Sequence, residues 1–541
     1  MLVPTSNRND KNFNNKYISL LGPESRQKLL EGIHAISDMV STTLGPQGKC
    51  VLLNDEANNI RLTKDGVTVA RNFFNVDPIK NTGAQLIKNI ASEVNNKSGD
   101  GTTTTTVLAC KLLSLYNKTI LEGHNSNELR KQLAEASSIV TEFISNYVKI
   151  ANNKDIYNIA LISSNNHKNI SEILYKIYSE LGHDAVITIN NYPANKDNVS
   201  FTDGYSIDHG FSSSFFINNF KLNQCDLSGS VNILLSNSEL TSMNSLIEVF
   251  EHSLKTNKPL LIITKSISDE LLETIIVNKL KHQLDVCVIK LEESDLNKID
   301  VLNDISVLTG ATIVNPMSKN VISIESLGQL KEAIVTKNSC TIISGNGDKD
   351  KKEMYINDLT SSLKHTKDLS KKIKLDKRIA KLKNKIAKID LEAANQLEFG
   401  EIYDRAEDAI NAVKTAIKSG ILPGGGVMLY MASLYLDEIN KNLNKQGYSI
   451  LSEALKTPIE TMLRNANLKI NETLEKINYL NKPIESKNGD FIGINFKNNE
   501  YVKMIDNGII DPADVVLDSI TKSVNLANQF SSINGLIYSN V

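Results

Sequence analysis

The sequence of 541 residues lacks tryptophan and has only five cysteines, none of them in a CxxC pair. Structural zinc sites usually need paired cysteines at ligand spacing, and disulfide frameworks need many cysteines in a short chain. The cysteine pattern therefore argues against both and is typical of a reducing compartment. The isolated cysteines are Cys50, Cys110, Cys225, Cys287 and Cys340.

The sequence also lacks a long apolar run and a signal-peptide core. Its longer apolar stretches, such as residues 259–263, fall well short of the roughly 18 residues that cross a bilayer. We therefore predict a soluble chain with no membrane partner. The Asn- and Lys-rich residues 1–22 are either a disordered tail or a targeting extension, and the tail is the preferred interpretation.

Neither sign of charge is in excess. The 60 Lys and Arg residues nearly balance the 62 Asp and Glu residues, which argues against a global field for nucleic acid. Residues 364–388 are a local exception, with eleven basic residues against two acidic ones. This segment is either a basic arm that binds nucleic acid or a packed helix whose basic residues lie on its solvent-exposed face. The spacing of its apolar residues favours the packed helix, and we therefore predict no nucleic-acid partner. The apolar residues at that spacing are Leu375, Ile379, Leu382, Ile386 and Ile389.

The segment SGDGTTTTTV at 98–107 lies between two helical patterns. Its two glycines let the backbone approach a ligand, and the free amides at the start of the following helix form an anion site. Asp100 is a carboxylate suited to a Mg²⁺ ion that also carries phosphate and water ligands. The segment therefore predicts a nucleoside triphosphate site, with a threonine-capped glycine turn as the plain alternative. No Gly-Lys-Ser/Thr triplet follows it, so P-loop ATPases and GTPases are poor matches.

Two further glycine turns precede this segment. TTLGPQGK at 42–49 ends a helix predicted over residues 24–44 and leads into a short strand at 50–53. In the next turn, at 63–66, Lys64 suits a phosphate and Asp65 suits an attacking water, while a solvated turn is the alternative.

The predicted secondary structure changes twice along the chain. Residues 24–146 are predicted to be mostly helical, and helical texture returns late in the chain, where a helix over 403–418 carries Asp408 near its start. Glycines 424–426 allow close approach to a flat ligand or another chain, and Asp511 precedes a proline at a helix start. Between these parts, β-branched runs alternate with amphipathic helices, which predicts an inserted α/β domain with a largely parallel sheet. The predicted strands are 231–235, 260–264, 286–289, 312–314 and 341–344.

Four motifs stand in a fixed order: TLGPQGK at 43–49, TKDGVTVAR at 63–71, GDGTTT at 99–104, and AEDA with PGGG at 406–426. In this order and spacing the sequence resembles the type I chaperonins, the GroEL-type sixty-kilodalton heat-shock family, from about residue 24 to 536. The resemblance implies an α+β multidomain fold in three layers: a mostly α equatorial ATPase domain, a small intermediate hinge domain and an α/β apical domain. The implied segments are 1–146 and 419–541 for the equatorial domain, 147–202 and 387–418 for the intermediate domain, and 203–386 for the apical domain.

The resemblance implies ATP and Mg²⁺ as cofactors, with K⁺ as a further candidate cation. Asp408 is similar to the carboxylate that positions the attacking water, with Asp65 assisting, and Asp100 to the magnesium ligand. The implied nucleotide contacts are Thr43, Leu44, Gly45, Pro46, Lys64, Asp100, Gly101, Thr102, Thr103, Thr104, Gly425, Asn495 and Asp511.

The resemblance also implies an ATP-dependent chaperone that encloses unfolded polypeptides in a homo-oligomeric or mixed double heptameric ring. The segment DHGFSSSFFIN at 208–218 is similar to the family's client-binding segment, and exposed apolar groups would hold unfolded chains there. The implied client-binding residues are Phe211, Phe215, Phe216, Ile247, Phe250, Leu272, Ile276 and Val277. The sequence lacks the long apical extension of the type II group, which indicates a separate co-chaperonin lid.

Some positions depart from the family pattern. Phe496 and Lys497 stand where two alanines usually follow the adenine-side Asn495, and Asn384 with Lys385 replaces a pair of hinge glycines. This drift leaves open a second function, that of a ring subunit that assembles but hydrolyses little ATP. It also indicates an organellar copy, with the plastid or apicoplast stroma favoured over the mitochondrial matrix or a bacterial cytoplasm.

Overall fold

The computed structural model describes residues 17–54, 60–190, 192–220, 222–282, 284–291, 298–315, 322–366, 368–383, 385–482 and 489–539. The elements of its first stretch are β1 (Tyr17–Leu21), α1 (Pro23–Ser41), β2 (Val51–Asn54), β3 (Ile60–Thr63), α2 (Gly66–Asn72), α3 (Pro78–Ser98), α4 (Thr102–Leu121), α5 (Ser126–Ser145), α6 (Asn153–Ser163) and α7 (Lys168–Leu181).

The elements of the middle stretch are β4 (Val186–Ile189), β5 (Asn198–Ile207), β6 (Cys225–Leu240), α8 (Ile247–Thr256), β7 (Leu260–Ile267), α9 (Asp269–His282), β8 (Val286–Lys290), α10 (Lys298–Thr309), β9 (Ile313–Val314), β10 (Gly328–Val335), β11 (Cys340–Gly345), α11 (Lys349–His365), α12 (Leu369–Lys383) and β12 (Lys385–Asp390). Those of the last stretch are α13 (Gln396–Ser419), β13 (Ile421–Pro423), α14 (Val427–Leu443), α15 (Gln446–Asn465), α16 (Ile470–Leu480), β14 (Ile492–Asn495), β15 (Glu500–Lys503), β16 (Ile510–Pro512), α17 (Ala513–Phe530) and β17 (Gly535–Ser539).

The chain forms two compact units. The terminal unit combines Met1–Ser179 with Glu392–Val541, and the inserted unit is Glu180–Leu391. A mostly helical unit built from both chain ends and a sheet-containing unit from the middle confirm the α+β multidomain class. The finer division into five segments stays a prediction.

The core of the terminal unit forms around α4. This helix is buried along most of its length because its residues from Val107 to Leu113 are largely apolar, and it packs against α1, α3, α15 and α17. The amphipathic pattern of α1 places Ile33, Ile36 and Val40 in the same core. The two chain ends also pair directly, because β1 and β17 form an antiparallel ladder. This packing brings motifs from both ends of the sequence into one unit.

The inserted unit contains a nine-stranded sheet in the order β4-β12-β5-β11-β10-β6-β7-β8, with β9 paired to β6. The prediction of a largely parallel sheet is correct for four pairs, which are β6 with β7, β7 with β8, β6 with β9 and β4 with β12. It is wrong for β5, β10 and β11, which pair antiparallel with their neighbours. The physical reason is the connection between β10 and β11, a tight turn closed by the Thr336 amide and the Ser339 carbonyl at 2.8 Å, which joins only antiparallel neighbours.

The basic segment also differs from its prediction. The helix ends at Lys383, and Ile386 and Ile389 lie in β12 rather than on the helical stripe. These two isoleucines lie on opposite faces of β12, and both are buried because β12 runs between β4 and β5 with both of its faces covered. Ile379 and Leu382 are buried in the core as predicted, and lysines such as Lys377 are exposed on the other side of α12. Asn384 lies outside the described residues. Among the parts of the chain that the structure describes, no helix has the length and apolarity needed to cross a bilayer.

Arg378 attaches α12 to the inserted unit. Its guanidinium donates to both carboxylate oxygens of the fully buried Asp304, at 2.8 and 3.2 Å. The hydroxyls of Tyr205 and Tyr355 donate to the same carboxylate, each at 3.0 Å. A buried carboxylate with this many donors is fully compensated, so the one Arg of the basic segment is a structural residue and does not belong to its solvated face.

Candidate functional site

A cavity of about 400 Å³ lies within the terminal unit. It is lined by residues of all four sequence motifs, although the fourth motif begins about three hundred positions after the third ends. The predicted site residues that line it are Thr43, Leu44, Gly45, Pro46, Lys64, Asp65, Asp100, Gly101, Thr103, Thr104, Asp408, Gly425, Asn495 and Asp511. Thr102 is the one predicted nucleotide contact that does not line the cavity. Its side chain is buried, and its hydroxyl has no hydrogen-bond partner among the described residues.

One wall of the cavity is the turn that follows α1. Gly45 adopts a φ of +83°, and a Cβ there would lie 2.8 Å from Cγ of Met462. Both the left-handed backbone and the close neighbour require glycine at this position. The ammonium group of Lys64 donates to the Pro46 carbonyl at 3.0 Å, which fixes a positive charge beside the turn.

A second wall of the cavity is the start of α4. Gly99 and Gly101 adopt φ values of +75° and +95°, and Gly101 is the N-cap, so no side chain caps the first amides of the helix. Uncapped amides and the positive end of the helix dipole form a site for an anion such as phosphate. Gly66 lets this wall approach α2, because a Cβ on it would lie 2.0 Å from Oγ1 of Thr103.

A second helix begins at the cavity without a side-chain cap. Helix α14 has Gly426 as its N-cap, and this residue lines the cavity. The N-cap of α17, Pro512, also lines the cavity, but the first two amides of α17 donate to the Gly420 carbonyl at 3.0 Å and to the Ser419 hydroxyl at 3.2 Å. By contrast, α2 is capped by Asp65, whose carboxylate accepts from the amides of Val67 at 3.1 Å and Thr68 at 2.7 Å. The cavity therefore combines two uncapped helix starts with one carboxylate that capping holds in place.

Five aspartates line the cavity, and burial together with repulsion from neighbouring carboxylates raises the pKa values of three of them, Asp100, Asp408 and Asp511. Burial raises the pKa of Asp408 well above the usual range for aspartate, and the carboxylates of Asp65 and Asp100 raise it further. Burial also raises the pKa of Asp100, against the lowering effect of a hydrogen bond from the Gly101 amide. A divalent cation would relieve this repulsion.

The donor set tests whether Mg²⁺ fits. In the described ranges, no three Asp, Glu, His or Cys side chains are close enough together to hold a metal ion without other ligands. Mg²⁺ is commonly bound through one or two carboxylates, with substrate phosphates and waters completing its octahedron. The carboxylate of Asp100 beside an anion site at the start of α4 fits that pattern.

Burial and the neighbouring Asp100 raise the pKa of Asp511 from 3.8 to about 7. A carboxyl whose pKa is raised by folding ionises more readily in the unfolded chain, so its contribution to stability is lost as the pH rises from about 4 to about 7. We expect the ligand-free melting temperature to fall less steeply in Asp511→Asn than in the parent over this range. Asp506→Asn, which changes an exposed turn carboxylate, is the control, and identical pH profiles for Asp511→Asn and the parent would contradict the prediction.

The far end of the cavity contains the two residues that depart from the family pattern. Phe496 lines the cavity but is only 4% exposed, because it packs in the core of the terminal unit. The side-chain carboxamide of Gln47 donates to the Phe496 carbonyl at 3.0 Å, and the side-chain carboxamide of Asn495 accepts from the backbone amide of Lys497 at 3.0 Å. The larger side chains are therefore accommodated by the core and by solvent, and the cavity stays open beside them.

Comparison with known proteins covers the part of the chain that contains all four motifs. The model of the TCP-1/cpn60 chaperonin family matches residues 36–540. The chain belongs to this family.

The relatives of this chaperonin support the assignment. The mitochondrial chaperonin CPN60-2 of Cucurbita maxima is 33% identical over 522 residues, which cover 95% of this chain and 89% of that protein. The mitochondrial heat shock protein 60 of Candida albicans is 33% identical over 517 residues, which cover 94% and 90%. A crystal structure of the chaperonin gp146 from the bacteriophage EL, in the presence of ATP-BeFx, has the same fold, with a TM-score of 0.70 and 20% identity over 97% of this chain and 99% of that one.

Sequence reasoning missed a fifth group of cavity residues in this chaperonin. The end of α6 and the turn after it also line the cavity, through Asn158, Ser163, Asn165 and Asn166. The available signal was the pair of adjacent asparagines after an apolar helix, since asparagine tolerates the left-handed backbone at helix ends.

The predicted client-binding residues divide into exposed and buried ones. Phe215 is 61% exposed, and Ile247 and Val277 are also exposed. Phe211, Leu272 and Ile276 are partly buried against the core of the inserted unit. The prediction is wrong for Phe216 and Phe250, which are 0% and 5% exposed, because both pack between the helices and the sheet as core residues.

Proposed function

We propose that this chaperonin is an ATP-dependent chaperone that encloses unfolded polypeptides in a ring. The observation that carries the proposal is the cavity itself. It combines two uncapped helix starts, Lys64 and five aspartates, which come from the first and last parts of the sequence. Helix starts and a lysine suit the phosphates of a nucleotide, and carboxylates suit its cation. The crystallisation of gp146 with ATP-BeFx supports the same use of this fold.

Each side chain has a role in this proposal. The amides at the start of α4, the turn at 43–46 and Lys64 bind the phosphates, and Asp100 would hold Mg²⁺. When bound, Mg²⁺ neutralises charge on the transferred phosphoryl group. Asp408 orients the attacking water, and the capped Asp65 assists from the start of α2. Phosphoryl transfer depends mainly on such placement and charge neutralisation, so no covalent residue is required.

The second candidate is a ring subunit that assembles but hydrolyses little ATP. Phe496 and Lys497 favour it, because they line the end of the cavity where the adenine would lie. Purified protein separates the two functions. Mg²⁺-dependent release of phosphate from ATP supports the chaperone, whereas nucleotide binding without turnover supports the ring subunit.

The proposal also includes ring assembly and the binding of unfolded clients. The five-segment division, the double heptameric ring, the separate co-chaperonin lid and a supplementary K⁺ come from the family resemblance. Phe215, Ile247 and Val277 are exposed apolar side chains. They suit unfolded chains, because an unfolded chain exposes apolar surface that can pack against them. The mitochondrial relatives favour the mitochondrial matrix over the plastid stroma that the sequence motifs favoured.

A further inference from the structure

The end of α6 and the turn after it contact two functional side chains that line the cavity, Asp100 and Lys64. The hydroxyl of Ser163, the last residue of α6, donates to Oδ2 of Asp100 at 3.3 Å. Two residues later, the carboxamide oxygen of Asn165 lies 3.5 Å from Nζ of Lys64. Both contacts are longer than ideal hydrogen bonds, which is common in ligand-free sites that tighten on binding.

The backbone of this turn is fixed by its own hydrogen bonds. Asn165 and Asn166 adopt φ values of 56° and 67°, in the left-handed region that few residues other than glycine enter readily. The Asn165 amide donates to the Ile162 carbonyl at 3.0 Å, and the Asn166 amide donates to the Leu161 carbonyl at 2.7 Å. The positions of the Ser163 hydroxyl and the Asn165 carboxamide therefore follow from the end of α6.

Helix α6 itself is held against the site. It packs on α13, which carries Asp408, and on β16, which contains Asp511. The other oxygen of the Asp100 carboxylate accepts from the Gly101 amide at 2.5 Å, so Ser163 and Gly101 together hold both oxygens. Lys64 is likewise held from two sides, by Asn165 and by the Pro46 carbonyl.

The geometry points to Ser163 and Asn165 as positioning residues of the nucleotide site. Ser163 sets the rotamer of the Asp100 carboxylate for the magnesium ion, and Asn165 directs the Lys64 ammonium group toward the phosphates. Side chains that are already oriented lose less conformational entropy on binding, which raises affinity without a new contact to the ligand. This inference rests on the proposed function.

The two side chains predict different binding defects, measured by the thermal shift that ATP produces in the full-length protein. Ser163→Ala is expected to raise the Mg²⁺ concentration for half-maximal stabilisation roughly threefold to tenfold, as expected for a lost hydrogen bond to a charged group, and excess Mg²⁺ should overcome the defect. Asn165→Gly keeps the left-handed backbone and removes only the carboxamide, so ATP affinity should fall about threefold even at saturating Mg²⁺.

Rescue and matched controls make the test specific. Ser163→Thr retains a hydroxyl and should restore the Mg²⁺ dependence of the parent. Ser145→Ala removes the exposed hydroxyl at the end of α5, and Asn467→Gly changes an exposed left-handed asparagine after α15, and neither residue lines the cavity. Both controls should titrate like the parent.

Three results would overturn the inference. The first is an unchanged Mg²⁺ dependence in Ser163→Ala together with an unchanged ATP affinity in Asn165→Gly. The second is a defect that threonine does not rescue, and the third is a lower ligand-free melting temperature with normal binding, which marks a purely structural role. If the parent itself shows no Mg²⁺-dependent stabilisation by ATP, the proposed function fails, and the inference fails with it.

Discussion

Asp408→Ala is expected to lower Mg²⁺-dependent ATP hydrolysis by about 10²- to 10⁴-fold, the usual contribution of a positioned acid or base. Nucleotide affinity should change little, because the proposed phosphate contacts come from the start of α4, the turn at 43–46 and Lys64. The variant should therefore separate binding from turnover. Phosphate release and the thermal shift with ATP measure the two properties on the same sample.

The reason for so large an effect is the setting of this carboxylate. Asp408 lies on α13 and lines the cavity, where burial raises its pKa and Asp65 and Asp100 raise it further. A Mg²⁺ ion bound by Asp100 would offset this repulsion and favour the ionised form that can orient a water. Asp408→Asn keeps the shape but not the charge, so it should lose nearly as much activity.

Asp38→Ala is the control for this prediction. Asp38 is an exposed carboxylate on α1 of the same unit and does not line the cavity. It should leave turnover unchanged. Equal turnover in Asp408→Ala and the parent would remove Asp408 from the site, and loss of nucleotide binding in Asp408→Ala would show that its role is not confined to hydrolysis.

The second large effect concerns two adjacent phenylalanines. Phe216→Ser is expected to destabilise the inserted unit by about 3–5 kcal/mol, since removal of a buried aromatic ring leaves a cavity. Phe216 is 0% exposed, and Nζ of Lys279 lies 5.7 Å from the centre of its ring. Phe215→Ser should change stability by about 0.5 kcal/mol or less, as is usual for an exposed position, and should instead weaken capture of unfolded protein.

The two variants are compared by urea unfolding and by co-sedimentation with a denatured client. Phe74→Ser is the control for capture, because Phe74 is 72% exposed in the terminal unit and carries the same chemistry. If Phe215→Ser captured clients as well as the parent and Phe74→Ser do, Phe215 would not belong to the client surface. If Phe216→Ser were as stable as the parent, its assignment to the core would be wrong.

Local sequence signals were sufficient to predict most of the cavity. Gly45, Gly101, Gly425 and Gly426 mark backbone that only glycine adopts easily, and each lies at a helix end where amides or a turn face the cavity. Residue type and spacing alone predict the backbone conformation at these positions, so no knowledge of tertiary contacts is needed. The buried face of α1 can be predicted for the same reason, because its apolar residues recur at helical spacing.

Features that depend on tertiary contacts could not be predicted from the sequence. Phe215 and Phe216 are identical in type and adjacent in sequence, and only the packing of the inserted unit decides which one is buried. Strand β5 contains polar residues and Gly204, where a Cβ would lie 2.0 Å from Cδ1 of Ile386, so its place in the sheet depends on a residue far along the chain. Ser163 and Asn165 acquire a role only because α6 packs beside α13.

The central claim is that the start of α4 and Asp408 enclose one nucleotide. Electron cryo-microscopy of the purified protein with Mg²⁺ and ATP-BeFx tests it most directly. We predict density for the nucleotide in the cavity of about 400 Å³, with its phosphates at Gly101 and Thr103 and its base beside Asn495. A cavity that stays empty at saturating nucleotide, or a nucleotide bound elsewhere on the chain, would contradict the account.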